Sequence, residues 1–161
     1  MMNNIAVGLG EIKISRNPDD VLVAFGLGSC VGIGVYDPVA HVAGMLHAVL
    51  PKQNDANAPL TGKFVDTGIP LLLDEVVKAG GVRSRFKIKM AGGANIMGSP
   101  NVSTIFDIGN RNVESARAVF KNLGIRVERE EVGGHIGRTV RLYTSDGRMT
   151  FRVMGGKEED L

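Results

Sequence analysis

The sequence predicts a single α+β domain, and three features of the chain lead to that class. Two segments have the apolar spacing of amphipathic helices, about eight short apolar runs have the length of strands, and hairpin-type turns separate several successive runs. A length of 161 residues is typical of one domain, and we find no internal repeat or linker. Strands and helices do not alternate regularly, which disfavours a doubly wound parallel sheet.

The strands are predicted from short apolar runs bounded by glycine, proline and polar turn residues. Glycine accounts for 22 of the 161 residues, about twice the usual share, so tight turns and close backbone approaches are expected. The first apolar segment is broken near Gly8-Leu9-Gly10 and forms one or two strands. The predicted strands are Ile5–Ile14 (one or two strands), Val21–Phe25, Val31–Tyr36, Val42–Leu50, Phe86–Met90, Ile125–Val132, Thr139–Tyr143 and Met149–Met154.

Two segments carry the spacing of a buried helix face. The first ends at Lys78-Ala79-Gly80-Gly81, and its Pro70 requires either a position in the first turn or a kink. The second runs from about Asn112 to Leu123 and stops at Gly124. The residues predicted to face the core are Val65, Ile69, Leu72, Leu73 and Val76 in the first helix and Val113, Ala116, Val119, Phe120 and Leu123 in the second.

Composition and charge exclude several classes of function. The formal net charge is +2, from 19 basic and 17 acidic residues without a basic cluster, so nucleic acid is not expected as a partner. The uncharged apolar stretch Val21–Tyr36 contains four glycines and is shorter than the roughly 20 residues of a membrane helix. The first residues lack the pattern of a signal peptide. We therefore expect a cytoplasmic protein without direct membrane insertion, and a flexible acidic tail over residues 157–161.

The lone cysteine lies at the end of a glycine-rich turn, Gly26-Leu27-Gly28-Ser29-Cys30. Glycines allow a close backbone approach, and the free N–H groups of such a turn are suited to binding an oxyanion. A buried, unreactive cysteine is the competing interpretation, since free Cys is among the most buried residue types. A dinucleotide-binding turn is disfavoured because a strand, rather than a helix, follows Cys30.

His47 gives Cys30 a candidate base. A four-residue hairpin loop over residues 37–40 would pair Tyr36 with His41 and would place Cys30 directly opposite His47, where Cα atoms are about 4.5–5.5 Å apart. A slip of one residue would send the two side chains to opposite faces of the sheet. A core-facing histidine bonded to the backbone is the alternative.

The chemistry needs such a pair because a thiol with a pKa of roughly 8.5 is only slightly ionised at neutral pH. A neighbouring imidazole takes the proton and later protonates a leaving amine, which suits attack on a carboxamide or another acyl carbon. A third group usually orients the imidazole. His41 is expected in a solvated turn, and His135 in a loop that could contact a ligand. A zinc site from Cys30, His47 and His135 matches no known ligand spacing, so no metal is expected.

A series of motifs along the chain resembles the CheD family of chemotaxis deamidases. The first part of the match consists of Gly26–Val31, Asp37-Pro38, and His47 with Leu50-Pro51. The match continues through Gly62-Lys63-Phe64, Asp66-Thr67, Ala91-Gly92-Gly93-Ala94, Ile108–Val113, Gly133-Gly134 and Arg138. It extends from about Ile5 to Gly156, nearly the whole chain, with the motifs in the same order.

The resemblance implies a fold, a reaction and partners. The family fold is α+β, with mixed β-sheets packed face to face and helices outside them in α/β/β/α layers. Family members hydrolyse glutamine side-chain amides on the cytoplasmic helices of bacterial chemoreceptors to glutamate and ammonia. They need no cofactor, and many bind a CheC-type phosphatase.

The same resemblance assigns roles to residues of this chain. Cys30 is the nucleophile and His47 the base, while Gly28 and Ser29 belong to the substrate site. Arg111 and Asn112 either line the substrate groove or serve as turn and helix-cap residues, with Asn112 as the N-cap of the second helix.

The chain departs from the family pattern at Ala24, where members can carry a Thr that completes a triad. Either a backbone carbonyl, a water or another side chain orients His47 instead, or the activity is weaker. Ala24 therefore keeps open a binding module that regulates a CheC-type phosphatase with little or no hydrolysis, and a thiol protease or other acyl hydrolase is a further alternative. Ala24→Thr is expected to raise the activity several-fold if the new hydroxyl lies beside His47.

Overall fold

The computed structural model of the protein describes residues 2–96 and 107–161. These residues form ten strands, two α-helices and a short 3-10 helix at Arg83–Arg85. The strands are β1 (Asn3–Ala6), β2 (Ile12–Ser15), β3 (Asp20–Leu27), β4 (Val31–Asp37), β5 (Val42–Ala48), β6 (Lys87–Gly92), β7 (Arg129–Val132), β8 (Arg138–Tyr143), β9 (Met149–Val153) and β10 (Glu159–Asp160). The helices are α1 (Val65–Lys78) and α2 (Ile108–Leu123).

The strands form two five-stranded sheets that pack face to face, which confirms the predicted class. Sheet A has the order β1-β3-β8-β9-β10, and sheet B has the order β2-β5-β4-β6-β7. Both sheets are mixed, because β1 runs parallel to β3 and β6 runs parallel to β7. The predicted break in the first apolar segment is confirmed, since β1 and β2 belong to different sheets. Apolar residues from both sheets, among them Leu22, Met45, Leu142 and Met149, meet in one inter-sheet core.

Both described helices pack on the outer face of sheet B. Their apolar residues share a second core with Ile33, Val35 and Ile88 of that sheet, and all five predicted core residues of α1 are fully buried. The layers of the described residues are therefore sheet A, sheet B and helices, rather than helices on both outer sides. The alternation along β8 fits an outer face of sheet A without a helix on it. Val140 and Leu142 point into the inter-sheet core, whereas the polar Arg141 lies on the outer face.

The two helices differ from the prediction near their ends. Helix α2 begins at Ile108, and the Asp107 carboxylate caps it by accepting a hydrogen bond from the Asn110 N–H at 3.0 Å, so Asn112 is not the N-cap. Gly124 ends the helix in the left-handed conformation (φ 68°), as predicted, but Leu123 is exposed. Pro70 lies inside α1, beyond its first turn.

The β4–β5 hairpin has a register displaced by two residues from the prediction. Tyr36 pairs with Ala43, and Asp37 itself stays in the ladder opposite Val42. The buried Asp37 carboxylate explains the shift. It accepts hydrogen bonds from two N–H groups of the following turn and from Arg85, 48 residues away. Burial alone would raise the Asp37 pKa, but the Arg85 and backbone hydrogen bonds hold it far below its usual range. The turn therefore closes one residue later than the loop signal suggests.

The chain end is paired rather than frayed. Residues 159–160 form β10 against β9, and the Leu161 N–H donates to the Met149 carbonyl at 2.9 Å. The apolar Leu161 side chain packs against the inter-sheet core, which gives the segment an anchor that its acidic composition does not reveal. Strand β7 is also shorter than predicted and begins at Arg129.

Candidate active site

The candidate nucleophile Cys30 lies where the chain crosses from sheet A to sheet B. Strand β3 ends at Leu27 and β4 begins at Val31, so residues 28–30 form a connecting turn, called here the nucleophile turn. A β-bulge between Ala24 and Leu27 bends the chain just before this turn. Gly26 in the bulge has φ +60° and no neighbour within 4 Å of a Cβ, so its backbone conformation, and not space, favours glycine.

The nucleophile turn is anchored through three consecutive carbonyl groups. The Gly28 carbonyl accepts from the Ala94 N–H at 2.8 Å, and the Cys30 carbonyl accepts from the Gly93 N–H at 2.8 Å. Between them, the Ser29 carbonyl accepts from the side-chain amide of Asn112 at 2.9 Å. The N–H groups of Gly28 and Ser29 donate to no described residue, and the Cys30 N–H interacts with its own thiol. The N–H groups of Gly28 and Ser29 are therefore available for an incoming oxygen atom, as the glycine-rich turn predicts.

Gly92 brings a second strand directly against this turn. Its φ is +104°, and a Cβ at this position would overlap the Cys30 carbonyl oxygen. Behind it, a Cβ on Gly93 would overlap Val113, and a Cβ on Gly109 would overlap the Ala94 carbonyl. The two glycine motifs of β6 and α2 thus serve close backbone packing around the nucleophile.

Asn112 has a different environment from the one predicted. It is fully buried inside α2, and its amide nitrogen donates to the Ser29 carbonyl and to the Val49 carbonyl, each at 2.9 Å. Asn112 therefore links the nucleophile turn to the segment that follows His47, an arrangement called here the Asn112 clasp. Its side chain does not line an open groove. Sequence reasoning missed this role because both acceptors are more than 60 residues away in the chain.

His47 is held by a backbone carbonyl, one of the arrangements that the sequence leaves open. The ring is buried, and its Nδ1 lies 2.8 Å from the carbonyl oxygen of Val7. A carbonyl oxygen only accepts, so Nδ1 carries the proton, and in the neutral ring Nε2 is the basic nitrogen. Val7 was missed as a site residue because a main-chain acceptor leaves no signature in the sequence.

Cys30 and His47 share a face of sheet B, although they are not directly opposite. Gly32 pairs with His47, and a Cβ on Gly32 would lie 3.0 Å from Leu27 of sheet A, so His47 also points between the sheets. Cys30, two residues before Gly32, packs against the same inter-sheet core. The predicted direct pairing is wrong by two residues, but a shift by an even number preserves the face.

The thiol is neutral in this arrangement. Cys30 is half-buried, and desolvation by burial raises the pKa of its thiol. A hydrogen bond from the Cys30 N–H to the thiol lowers the pKa, but the effect of burial is the larger. A reactive thiolate would therefore arise when a base removes the proton, and His47 is a candidate base on the same face.

Arg138 links two glycine-containing segments near the nucleophile turn. Its buried guanidinium donates to the Gly92 carbonyl at 3.2 Å and to the Gly133 carbonyl at 2.8 Å, and it lies 3.7 Å from Glu131. The two glycine pairs that flank the site are thus tied to one side chain. The family motif includes this arginine, but its sequence position gave no indication of its carbonyl partners.

The other predicted residues lie around this centre. Arg111 is exposed and lines a cavity of about 500 Å³ with Pro51, Lys52 and Phe64. His41 is exposed in the hairpin turn, 3.1 Å from the Tyr36 hydroxyl, and His135 is exposed in its loop, 2.9 Å from the Asn95 carbonyl. No group of three or more His, Cys, Asp or Glu side chains within residues 2–96 and 107–161 is arranged to hold a metal ion.

Neither helix in the described part of the chain has the length and apolar character needed to cross a bilayer.

A half-buried cysteine at the end of a glycine-rich turn, on the same sheet face as an oriented histidine, defines a candidate site for thiol-dependent acyl transfer. The family model of CheD, described as chemotactic sensory transduction, matches residues 49–153. That match covers most of the chain, and the chain therefore belongs to the CheD family. The matched region begins at residue 49 and therefore contains neither Cys30 nor His47.

Curated relatives match along nearly their full length. A protein of Symbiobacterium thermophilum is 43% identical over 159 residues, covering 97% of this chain and 96% of the relative. A protein of Caldanaerobacter subterraneus is 43% identical over 154 residues, covering 94% and 93%. One from Pyrococcus abyssi is 41% identical over 159 residues, covering 98% and 96%. Each is named a probable chemoreceptor glutamine deamidase CheD.

Proposed function

We propose that this protein is a protein-glutamine deamidase that hydrolyses glutamine side-chain amides on chemoreceptors to glutamate and ammonia. The observation that carries the proposal is the orientation of His47, whose Nδ1 is committed to the Val7 carbonyl beside a half-buried Cys30 on the same face. Membership of the CheD family supports the choice of substrate, because the relatives named above carry that activity in their names.

The geometry supports a two-step acyl transfer. Nε2 of His47 removes the Cys30 proton as Sγ attacks the glutamine side-chain carbonyl carbon, and the N–H groups of the nucleophile turn stabilise the oxyanion. The C–N bond then breaks, and His47 returns its proton to the departing nitrogen, which leaves as ammonia. Water, deprotonated by the same imidazole, attacks the thioester, and cleavage of the C–S bond gives glutamate and the free thiol.

The raised pKa of the thiol fits this sequence of events. A thiol that burial keeps neutral reacts slowly with electrophiles in the resting enzyme, and proton transfer to His47 is coupled to attack on a bound substrate. Such an enzyme discriminates in favour of substrates that exclude water from the site. This mechanism needs no metal or organic cofactor.

The proposed partners follow from the substrate. The enzyme would act in the cytoplasm on the cytoplasmic helices of chemoreceptors, with exposed Arg111 at the rim of the substrate groove. A CheC-type phosphatase is a proposed second partner. The view that such binding is the main task is weaker than the sequence suggests, because the Val7 carbonyl supplies the orientation that Ala24 cannot.

Mass spectrometry of a co-expressed receptor fragment tests the proposal. Each converted glutamine gains about one dalton, the exchange of an amide NH₂ for OH expected from acyl transfer to water. Cys30→Ser and His47→Asn should each lower the rate at least about 10³-fold, because removing a nucleophile or its base leaves only residual catalysis.

His41→Asn is the matched control, since it changes a histidine of the same hairpin that lies in an exposed turn and Asn tolerates its positive φ. This control should keep the wild-type rate. Near-normal conversion by folded Cys30→Ser protein would show that Cys30 is not the nucleophile, and conversion of receptor peptide bonds instead of side chains would show a protease.

A further inference from the structure

One peptide unit connects the candidate base to a surface carboxylate. The carbonyl of the Val7–Gly8 peptide accepts the His47 Nδ1 proton at 2.8 Å. The N–H of the same peptide donates to the Glu11 side-chain carboxylate at 2.7 Å. The two groups point in opposite directions from a planar peptide unit, so imidazole, peptide and carboxylate form one continuous hydrogen-bonded chain.

We propose that Glu11 is a positioning residue for His47 and acts through the Val7–Gly8 peptide. Glu11 orients the imidazole through this hydrogen-bonded relay, whereas the third residue of a triad orients it by direct contact. This inference rests on the proposed function, because it assigns a role to the candidate base.

A charge-assisted hydrogen bond provides the physical basis. A carboxylate that accepts from a peptide N–H polarises the amide and shifts electron density onto its oxygen, which strengthens the hydrogen bond on the other side. The stronger acceptor fixes the Nδ1–H tautomer, holds the ring in place and favours the imidazolium that forms during attack. A Thr hydroxyl, in contrast, would offer only a neutral dipole.

The surrounding loop holds the Val7–Gly8 peptide in place beside His47. Residues 7–11 form a segment, called here the His47 bracket, that binds the backbone of His47 itself. The Gly10 N–H donates to the His47 carbonyl at 2.8 Å, and the His47 N–H donates to the Glu11 carbonyl at 3.1 Å. The Val7 N–H also donates to Val23 of sheet A at 2.7 Å. Because these bonds use only main-chain atoms, the bracket remains when the Glu11 side chain is changed.

A simple surface ion pair is the competing explanation for Glu11. The side chain is 47% exposed and lies 3.6 Å from Lys13, and exposed pairs of this kind contribute little. The hydrogen bond from Gly8 is the largest influence on the carboxylate and lowers its pKa, with Lys13 second. Glu11 is therefore ionised at neutral pH, and its main partner is the peptide rather than the lysine.

Four variants separate these explanations. Glu11→Ala should lower kcat by about 3–10-fold, the effect of one hydrogen bond, with KM unchanged, and Glu11→Gln should recover part of the loss because its oxygen still accepts. Gly8→Ala places a Cβ 2.7 Å from the carboxylate oxygen and should displace it, giving the same loss with the charge still present. Lys13→Gln is the matched control and should keep the wild-type kcat.

Nitrogen NMR of the imidazoles gives a readout that does not depend on turnover. The wild-type ring should show a slowly exchanging Nδ1–H, and Glu11→Ala should show faster exchange and a mixture of tautomers. The Gly8→Ala/Glu11→Ala double variant should add nothing to either single change, because both break the same relay.

The outcomes separate the inference from the proposed function. Full kcat and an unchanged imidazole spectrum in Glu11→Ala would overturn the proposed role of Glu11. The Cys30 and His47 variants would still test the proposed deamidase activity independently. A loss that Gln does not reduce, with an unchanged spectrum, would mark Glu11 as merely structural and would also overturn it. If wild-type protein deamidated no receptor, the spectrum would still decide whether Glu11 orients His47.

Discussion

The nucleophile and its base are held by very different parts of the molecule. The nucleophile turn is fixed from inside, by N–H groups of residues 93 and 94 and by the fully buried Asn112. His47 is buried as a ring, but its orientation comes from the His47 bracket, whose Glu11 side chain is 47% exposed. The hydrogen bonds that position Cys30 therefore also stabilise the fold, whereas the hydrogen bonds that orient His47 involve a side chain near the surface.

This difference predicts how stability and activity respond to substitution. Changes around the nucleophile turn should lower both together, because the same buried contacts serve both. Changes in the His47 bracket should lower activity with little change in the free energy of unfolding, as proposed for Glu11. Three further substitutions test the comparison.

The largest effect is expected for Gly92→Ala. The new Cβ would overlap the Cys30 carbonyl oxygen, and φ +104° is strained for any L side chain. Strain and overpacking together should cost about 3 kcal/mol or more of unfolding free energy, and activity should fall with it. Urea unfolding and ammonia release measure the two quantities.

Gly124→Ala is its matched control, since φ is +68° there but nothing lies within 4 Å of the added Cβ. It should cost only about 1 kcal/mol, from backbone strain alone, and leave the rate unchanged. Equal effects at the two glycines would show that the close approach to Cys30 does not matter.

An intermediate effect is expected for Asn112→Ala. It leaves the partly buried carbonyls of Ser29 and Val49 without their donor, which should cost about 2–3 kcal/mol, and the loosened turn should lower kcat. Ser115→Ala on the same helix removes a single hydrogen bond, to the Pro51 carbonyl, and should cost about 1 kcal/mol without loss of rate. A normal kcat in destabilised Asn112→Ala protein would show that the Asn112 hydrogen bonds stabilise the fold without affecting catalysis.

The smallest effect on rate is expected for Ala24→Thr. The sequence alone suggests a several-fold gain, but Ala24 is fully buried in the inter-sheet core and His47 is already held by Val7. We now expect no gain in ammonia release and a loss of about 1 kcal/mol or more from overpacking. A several-fold faster variant would mean that a hydroxyl at this position reaches His47 and that the bracket orients it incompletely.

Local signals predicted the elements well. The spacing of Leu72, Leu73 and Val76 placed α1, and the turn residues around Pro38 and Gly124 placed a hairpin and a helix end. Hairpin reasoning also placed Cys30 and His47 on one sheet face, although the direct pairing that it predicted is displaced by two residues. These features depend on residues close together in the chain, where periodicity and turn chemistry act.

Features set by distant partners could not be predicted. The hairpin register depends on Asp37, which stays in the ladder because Arg85 and its own turn share its carboxylate. The clasp by Asn112 joins three chain segments, and no spacing rule connects them. The signal for Glu11 was only a Gly-x-x-Glu sequence in a turn, which is common and indicates no function.

The position of Cys30 at the crossing between the sheets also makes it a probe of motion. It is the chain's single cysteine and is half-buried, so an alkylating reagent would modify the protein at one site only. Because burial also raises the pKa of the thiol, alkylation at neutral pH should be slow in the folded protein and should accelerate when local opening exposes the sulfur. Alkylation rates would therefore report local opening around Cys30, and a bound receptor helix should slow them by covering the thiol.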